Sequence, residues 1–249
     1  MIIIIFLIMI LLAIITIGAN YYYGAHFKSC DSCETNKVDL IDIQLPPDSL
    51  TECLYNAIKS NGTRLDPNLN FNNVQGKKIN YNLIKEYCPE IIDFYLTNEM
   101  IEHVSKYLDK KITFADDSEK YRIFARLYND ESDFINWHYD NNFTRGERYT
   151  LVIPIILDDC NTSEFIYKDR FTQQDITVEI PLGKGVIYNG SEAYHMISKQ
   201  TQNCKRMVVI IPFYTNYSKS IFGEIRQFFR NLIYRQISVF KPQKISSPV

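Results

Sequence analysis

A succession of short β-rich runs in the second half of the chain constrains the fold more than any other feature. The runs occupy residues 111–114, 121–128, 134–140, 148–156, 164–168, 176–180, 185–188 and 206–213. Asp, Asn, Gly and Pro separate them, as is typical of consecutive strands joined by turns. About eight such strands favour a jelly-roll or sandwich over a parallel α/β sheet. Pro154 and Pro212 fall in or at the end of runs and predict edges or bulges there.

The stretch before these runs predicts helices. Residues 49–60 carry apolar side chains at helical spacing, and residues 81–109 look largely helical, with an interruption near Thr97 and Asn98. Residues 63–80 are rich in Asn and predict a loop. The strands are therefore expected to follow a mostly helical lead-in.

The length of the chain allows one domain of about 200 residues plus a tail. We assign this domain to residues 46–215, with the helical lead-in at 46–110 and the jelly-roll at 111–215. The expected fold class is mainly β with flanking helices (α+β) around a double-stranded β-helix (jelly-roll) core. An N-terminal transmembrane helix is expected to precede it.

That transmembrane helix is predicted at residues 1–19, which are almost entirely apolar and carry no charged side chain. This length is about what a helix needs to cross a bilayer, and the tyrosines at 21–23 would lie at the interface. A cleaved signal peptide is the alternative, because residues 17–19 could form a cleavage site. Residues 20–45 are polar and irregular and predict a tether.

The sequence carries opposing indications of membrane topology. Lys28 and Lys37 follow the span and none precede it, which favours a cytoplasmic body. Six cysteines and five Asn-x-Ser/Thr sites favour a lumenal, endoplasmic reticulum-like side, which is the expectation we adopt. Cys30 and Cys33 could form a zinc half-site or redox pair, but a disulfide or free thiols are the simpler interpretation.

The C-terminal part, residues 216–249, predicts an amphipathic basic helix and a tail. Apolar residues between 218 and 237 form one stripe, and Arg226, Arg230 and Arg235 spread over the remainder. This helix could pack on the sheet or lie on the membrane. The net charge of the chain is −2, so no nucleic-acid partner is expected.

A candidate metal site begins with His138 and Asp140, because side chains two residues apart on a strand face the same way. The chain has three other histidines: His26 in the tether, His103 in a helical run, and His195 in the strand region. His195 is therefore the candidate third ligand. Two imidazoles and one carboxylate form the facial triad of non-haem Fe(II) oxygenases, with zinc as an alternative metal.

A cation follows His195 at a suggestive position. Such oxygenases often take electrons from 2-oxoglutarate, whose far carboxylate then needs a positive partner. Arg206 opens the last strand run, 11 residues after His195, with Lys205 beside it. We favour Arg206 over Lys205, because a guanidinium matches a carboxylate with two parallel hydrogen bonds.

The pattern of His138, Asp140, His195 and Arg206 resembles the 2-oxoglutarate- and Fe(II)-dependent dioxygenases, and most closely their prolyl 4-hydroxylase-like branch. The resemblance covers roughly residues 90–213. It implies Fe(II) and 2-oxoglutarate as cofactors, with ascorbate as a further candidate. It also implies contacts to 2-oxoglutarate from Tyr128, ten residues before His138, and from Thr150. The implied reaction hydroxylates an unactivated C–H bond, such as that of a peptidyl proline, and releases succinate and CO₂.

Two stretches depart from the pattern of that family. Its Gly-Gly-Glu stretch is here residues 160–164, and its aromatic-Leu-Asn strand ending is residues 155–157. The substrate, a protein or a small molecule, is therefore left open. The alternatives are an inactive membrane-anchored jelly-roll that serves as a binding module, and a zinc-dependent hydrolase with Glu192 as its base.

Three residues close to the first two ligands carry separate expectations. Trp137 and Tyr139 should point away from the metal, either packing in the core, which is the simpler interpretation, or lining the substrate entrance. Asn142 begins an Asn-x-Thr site, but a glycan there would crowd the metal. We expect this site not to be glycosylated.

Overall fold

The computed structural model describes residues 38–65 and 74–218. The predicted membrane anchor, most of the tether, Cys30, Cys33 and nearly all of the predicted C-terminal helix lie outside these ranges. Within the described part, no helix is long and apolar enough to cross a bilayer.

The described residues of the helical lead-in form four helices: α1 (Asp48–Asn61), α2 (Tyr81–Tyr87), α3 (Pro89–Tyr95) and α4 (Asn98–Leu108). The predicted interruption is confirmed, because the Thr97 hydroxyl accepts a hydrogen bond from the Met100 amide at 3.1 Å and caps α4. A second break falls at Cys88, and the Cys53–Cys88 disulfide ties α1 to this junction.

Each of the eight predicted runs contains a strand. The described residues form twelve strands: β1 (Val38–Asp42), β2 (Thr63–Leu65), β3 (Val74–Ile79), β4 (Thr113–Phe114), β5 (Phe124–Tyr128), β6 (Phe134–His138), β7 (Arg148–Leu157), β8 (Phe165–Lys168), β9 (Asp175–Val178), β10 (Lys184–Asn189), β11 (His195–Ile197) and β12 (Arg206–Tyr214).

All strand pairs in this part of the chain are antiparallel. The larger sheet has the order β1-β10-β7-β12-β5, and the smaller sheet has the order β6-β11-β8-β9. The two sheets are joined by β3, which pairs with both β5 and β6. The chain is therefore mainly β, with a curled antiparallel sheet as in a jelly-roll, as predicted.

The prediction of a loop at 63–80 was wrong, because β2 and β3 lie there. The sequence of β3, Val-Gln-Gly-Lys-Lys-Ile, has too few apolar residues to show strand alternation. Its strand geometry comes from partners on both edges, which lie far away in sequence. Gly76 has φ of +137°, a conformation that glycine adopts readily, at the point where β3 passes from one sheet to the other.

Strand β1 was also missed, since it lies within the predicted tether. Its partner is β10, more than 140 residues later in the chain, so local sequence carries little signal for it. Strand β11, with only three residues, is too short to recognise by its pattern.

The two prolines lie in central strands of the larger sheet, and the prediction of an edge was wrong. The prediction of a bulge is confirmed at Pro154. Met207 pairs with Ile156 while Val208 pairs with Pro154, so Ile155 is the extra residue. Pro212 pairs with Thr150 on one side, and on the other side it lies between the pairings of β5 and β4.

The larger sheet is buried on both faces, because alternate residues enter two separate apolar clusters. Met207, Val209 and Ile211 face the helices, while Val208 and Ile210 face the smaller sheet. Because both faces are buried, the strands of the larger sheet have nearly continuous apolar sequences. Polar residues at inward positions of such a sheet therefore stand out, and they lead to the candidate site.

Candidate metal centre

The three predicted ligands come together between the two sheets. One ligand atom from each of His138, Asp140 and His195 lies within 4.8 Å of the other two. His138 ends β6 and pairs across the sheet with His195, which begins β11, so the two imidazole rings are 4.2 Å apart. The amide of Asp140 donates to the carbonyl of Gly190 at 2.7 Å, which brings the third ligand to the same point.

Both imidazoles are oriented by backbone carbonyls. Nδ1 of His138 donates to the carbonyl of Asn136 at 2.7 Å, and Nδ1 of His195 donates to that of Ala193 at 3.0 Å. The tautomer is fixed by this contact, so each Nε2 keeps a free electron pair for a metal. Nε2 of His195 accepts a hydrogen bond from the Tyr188 hydroxyl at 3.1 Å.

Burial holds the imidazoles neutral, the form in which they bind metal. Burial and the neighbouring His195 lower the pKa of His138 to about 3. Burial is also the largest cause lowering the pKa of His195.

Asp140 is held ionised in the same interior. Burial raises the pKa of its carboxyl group, but Arg148, the two imidazoles and a hydrogen bond from Thr150 together lower it to about 2. A guanidinium nitrogen of Arg148 lies 3.8 Å from Oδ2 of Asp140. The cluster therefore offers two neutral imidazoles and one carboxylate.

Thr150, for which a contact to 2-oxoglutarate is predicted, is hydrogen-bonded to one of the three metal-ligand residues. Its hydroxyl donates to Oδ2 of Asp140 at 2.6 Å. On β7 it lies opposite Pro212, whereas Arg206 lies at the other end of β12. The strand register therefore makes Thr150 a support of the carboxylate ligand.

Gly190 allows the close approach of Asp140. A Cβ atom at this position would lie 2.7 Å from Oδ2 and 2.8 Å from Cβ of Asp140, and 2.9 Å from the hydroxyl oxygen of Thr150. A side chain at position 190 would therefore displace Asp140.

Arg206 lies at the far end of the same interior and is almost fully buried. It is the cross-strand neighbour of Tyr128, whose ring centroid is 5.7 Å from its guanidinium carbon. One of its nitrogens donates to the Ser163 hydroxyl at 3.3 Å. None of the ion pairs among the described residues includes Arg206, and burial lowers its pKa. A buried guanidinium without a carboxylate is suited to an anionic ligand.

The side chain of Lys205 lies on the opposite face of the sheet from that of Arg206. Its ammonium group lies 5.5 Å from the centroid of the Tyr55 ring on the helical side of the sheet. Of the two candidate cations, only Arg206 faces the interior that holds the metal ligands.

Sequence reasoning missed several residues of this interior: the polar residues Arg126, Arg148, Ser163 and Tyr188, and also Gly190. The signal for Arg126 and Arg148 was present, because each precedes a predicted site residue by two on the same strand and therefore shares its face. Ser163 lies in a loop, where no period predicts the direction of a side chain.

Trp137 and Tyr139 point away from the metal ligands, as predicted, but the expectation that they pack in the core was wrong. Both are partly exposed on the outer face of the smaller sheet. Their rings pack against Tyr194, at centroid distances of 5.2 Å and 4.9 Å. The amide nitrogen of Asn142 donates to the carbonyl of Gly146 at 2.7 Å, which is consistent with the expectation that this site carries no glycan.

Comparisons with known proteins extend these observations. No protein-family model matches the sequence, and no curated protein matches it. The fold is similar to that of the alpha ketoglutarate-dependent carbocyclase SnoK from nogalamycin biosynthesis, with a TM-score of 0.56 and 11% identity, covering 78% of this chain and 87% of that one. It is also similar to EctD from S. alaskensis, determined with 2-oxoglutarate and 5-hydroxyectoine, with a TM-score of 0.54 and 6% identity, covering 72% of each chain.

A Pseudomonas putida prolyl-4-hydroxylase also matches, with a TM-score of 0.47 and 10% identity, over 72% of this chain and 92% of that one. At these identities the similarity concerns the fold. The matches to SnoK and EctD, with TM-scores above 0.5, show that this chain shares the fold of those two proteins.

Proposed function

We propose that this chain is an Fe(II)- and 2-oxoglutarate-dependent dioxygenase that hydroxylates an unactivated C–H bond. One observation carries the proposal: His138, Asp140 and His195 meet in the same interior that buries Arg206 without a carboxylate partner among the described residues. Two imidazoles and a carboxylate suit Fe(II) and leave positions open for other ligands. Arg206 supplies the cation that the far carboxylate of 2-oxoglutarate needs.

The side chains of this interior have separable tasks in that reaction. Fe(II), 2-oxoglutarate and O₂ supply the oxidising chemistry, with succinate and CO₂ as coproducts. His138 and His195 offer Nε2 atoms whose direction is fixed by their Nδ1 hydrogen bonds. Asp140 stays ionised and is held by Thr150. Val152, Val186, Val208 and Ile210 exclude water from the space between the sheets.

A protein side chain such as a peptidyl proline is the substrate class that we propose, on the resemblance of the sequence. We further propose that residues 1–19 anchor the enzyme in a membrane and that the domain lies on the lumenal side. The Cys53–Cys88 and Cys160–Cys204 disulfides support a lumenal location, because disulfides persist in oxidising compartments.

The test is 2-oxoglutarate turnover by the full-length chain in detergent. We expect succinate formation that depends on added Fe(II) and is lost in His138→Ala. The matched control is His103→Ala, an exposed helix residue whose ring contacts only the carbonyl of Asp42 among the described hydrogen bonds. Peptide pools analysed for a mass gain of one oxygen would then identify the substrate class.

Other outcomes would favour the alternatives. Metal binding without succinate formation would indicate a binding module. Hydrolysis that depends on zinc would indicate a hydrolase, although Glu192 does not belong to the ligand cluster that the described residues form.

A further inference from the structure

Arg126 is a third guanidinium in the interior of the jelly-roll, in addition to Arg148 and Arg206. It occupies the middle of β5, between Phe124 and Tyr128, which both belong to the apolar cluster between the sheets. Ala125 and Leu127 belong to the cluster on the helical side. Because side chains alternate along a strand, Arg126 faces the same space as the metal ligands.

The guanidinium of Arg126 is partly buried and only partly satisfied: it is hydrogen-bonded to the Tyr128 hydroxyl, but it has no carboxylate partner among the described ion pairs. Its Nε and Nη1 atoms are buried and have no hydrogen-bond partner. Its cross-strand neighbour on β3 is Lys78, another cation, whose pKa is lowered chiefly by burial and also by Arg126. This arrangement costs free energy in the ligand-free protein.

The strand register places Arg126 between Arg206 and the metal ligands. On β12 the inward positions follow each other from Arg206 through Val208 and Ile210 to Pro212. Arg126 pairs with Val208, one inward position from Arg206, which is about 7 Å along the strand. Thr150, which holds Asp140, pairs with Pro212, two inward positions further on.

Electrostatic effects within the interior agree with this placement. Arg126 lies two residues before Tyr128 on the same face of β5. It also interacts with the Tyr128 hydroxyl, whose pKa burial raises and Arg126 lowers. Arg126 therefore lies beside the cross-strand neighbour of Arg206.

Arg126 and Arg206 lie on the neighbouring strands β5 and β12, and neither has a carboxylate partner among the described residues. Two such guanidinium groups suit a ligand that carries two anionic groups. Resting on the proposed function, we propose that Arg126 binds the carboxylate of 2-oxoglutarate that lies on the metal side, while Arg206 binds the distal carboxylate. The cosubstrate would then be held by one guanidinium at each end. Arg126 is thus a cosubstrate-binding residue that neither the metal-ligand pattern nor the position of Arg206 indicates.

The test compares two ligands on Mn(II)-loaded, full-length protein by calorimetric titration. The ligands are 2-oxoglutarate and 2-oxopentanoate, in which a methyl group replaces the distal carboxylate. We expect Arg126→Met to weaken both ligands by about 10- to 100-fold, since both keep the metal-side carboxylate. Arg206→Met should weaken only 2-oxoglutarate. Lys205→Met is the matched control and should leave both affinities unchanged, because its ammonium group faces Tyr55.

Thermal unfolding of the ligand-free protein adds a readout without any ligand. We expect Arg126→Met to unfold at the same or a higher temperature than the wild type, because a partly buried cation without a carboxylate partner has been removed. A lower unfolding temperature with unchanged affinities would mean that Arg126 is only structural, and it would overturn the proposal. So would a loss of affinity for 2-oxoglutarate alone, which would assign Arg126 to the distal carboxylate.

These results are distinguishable from a failure of the proposed function. If the wild-type protein binds neither Mn(II) nor 2-oxoglutarate, the dioxygenase proposal fails. If the wild type binds both and Arg126→Met binds 2-oxoglutarate equally well, only the role of Arg126 is refuted.

Discussion

At the scale of single residues, the candidate metal centre depends on how closely Asp140 can approach the turn that contains Gly190. The backbone carbonyl of Gly190 accepts from the Asp140 amide, and its own amide donates to the carbonyl of Arg148 at 2.9 Å. The turn therefore connects the carboxylate ligand to the beginning of β7. Because Gly190 has no side chain, the carboxylate of Asp140 can occupy the space beside it.

Gly190→Ala is expected to weaken metal binding by about 10- to 100-fold, because the new methyl group would displace Asp140. The measurement is the affinity for Mn(II) by calorimetry. The matched control is Gly183→Ala, where φ is +83° and no atom lies within 4 Å of the new Cβ. That change should lower stability by about 1 kcal/mol through backbone strain and leave metal affinity intact. Equal metal affinities in the two variants would contradict the prediction.

The metal ligands could be predicted from the sequence because His138 and Asp140 lie two residues apart at the end of a β-rich run and only His195 was a suitable third ligand. In the structure β6 ends at His138, and the hydrogen bond from the Asp140 amide to the Gly190 carbonyl holds Asp140 beside the strand. Arg206 was preferred to Lys205 by its chemistry, and the strand register agrees. The supporting residues could not be found in this way. Gly190 and Ser163 act through contacts between distant segments, which no local period encodes.

At the scale of elements, the beginning of β12 is held in place by the preceding loops. The Cys160–Cys204 disulfide joins the loop after β7 to the residue two before Arg206. The same loop carries Ser163, which accepts a hydrogen bond from Arg206. The backbone amide of Lys205 donates to Asp158 at 2.9 Å. The position of Arg206 thus depends on a cross-linked pair of loops.

The two disulfides should therefore have different effects when they are removed. Replacing Cys160 and Cys204 by serine should lower the free energy of unfolding by about 2 to 5 kcal/mol and also weaken 2-oxoglutarate binding. Replacing Cys53 and Cys88, which lie in the helical lead-in, should lower stability by a similar amount and leave the affinity unchanged. Thermal unfolding and titration with 2-oxoglutarate measure both quantities. Loss of affinity in both pairs of variants would show that the effect is not local.

The elements that the sequence predicted are those with a strong pattern of their own. The eight β-rich runs and the break at Thr97 were found because their residues alternate or cap locally. Strand β3 was not, because Gln75, Lys77 and Lys78 are polar and its conformation comes from β5 and β6. Of the two alternatives predicted for the prolines, an edge or a bulge, the bulge is found at Ile155, where it accommodates Pro154 in a central strand.

At the scale of the whole molecule, the candidate metal centre joins the two sheets. His138 and His195 belong to β6 and β11 of the smaller sheet. Asp140 is bonded to Thr150 on β7, which belongs to the larger sheet. A bound metal would therefore add a connection between the two sheets besides the one that β3 makes.

Metal binding is accordingly expected to stabilise the whole domain. At a Mn(II) concentration of about 100 times the dissociation constant, the gain is about 2.7 kcal/mol, which raises the unfolding temperature by about 5 to 10 °C. Asp140→Asn, which removes the charge but keeps the size of the side chain, should abolish most of this shift. An equal shift in the variant would show that Mn(II) binds elsewhere, and a chelator should reverse the wild-type shift.

The two-sided burial of the larger sheet has a consequence for how such a protein can diverge. On β5, β10 and β12, even-numbered residues face the space between the sheets and odd-numbered residues face the helices. Selection for a new substrate can therefore change the even-numbered residues, while the odd-numbered residues keep the packing against the helices that stabilises the domain. Deletion of a single residue within β12 would have the opposite outcome, because it would exchange the two sets and turn Arg206 toward the helices.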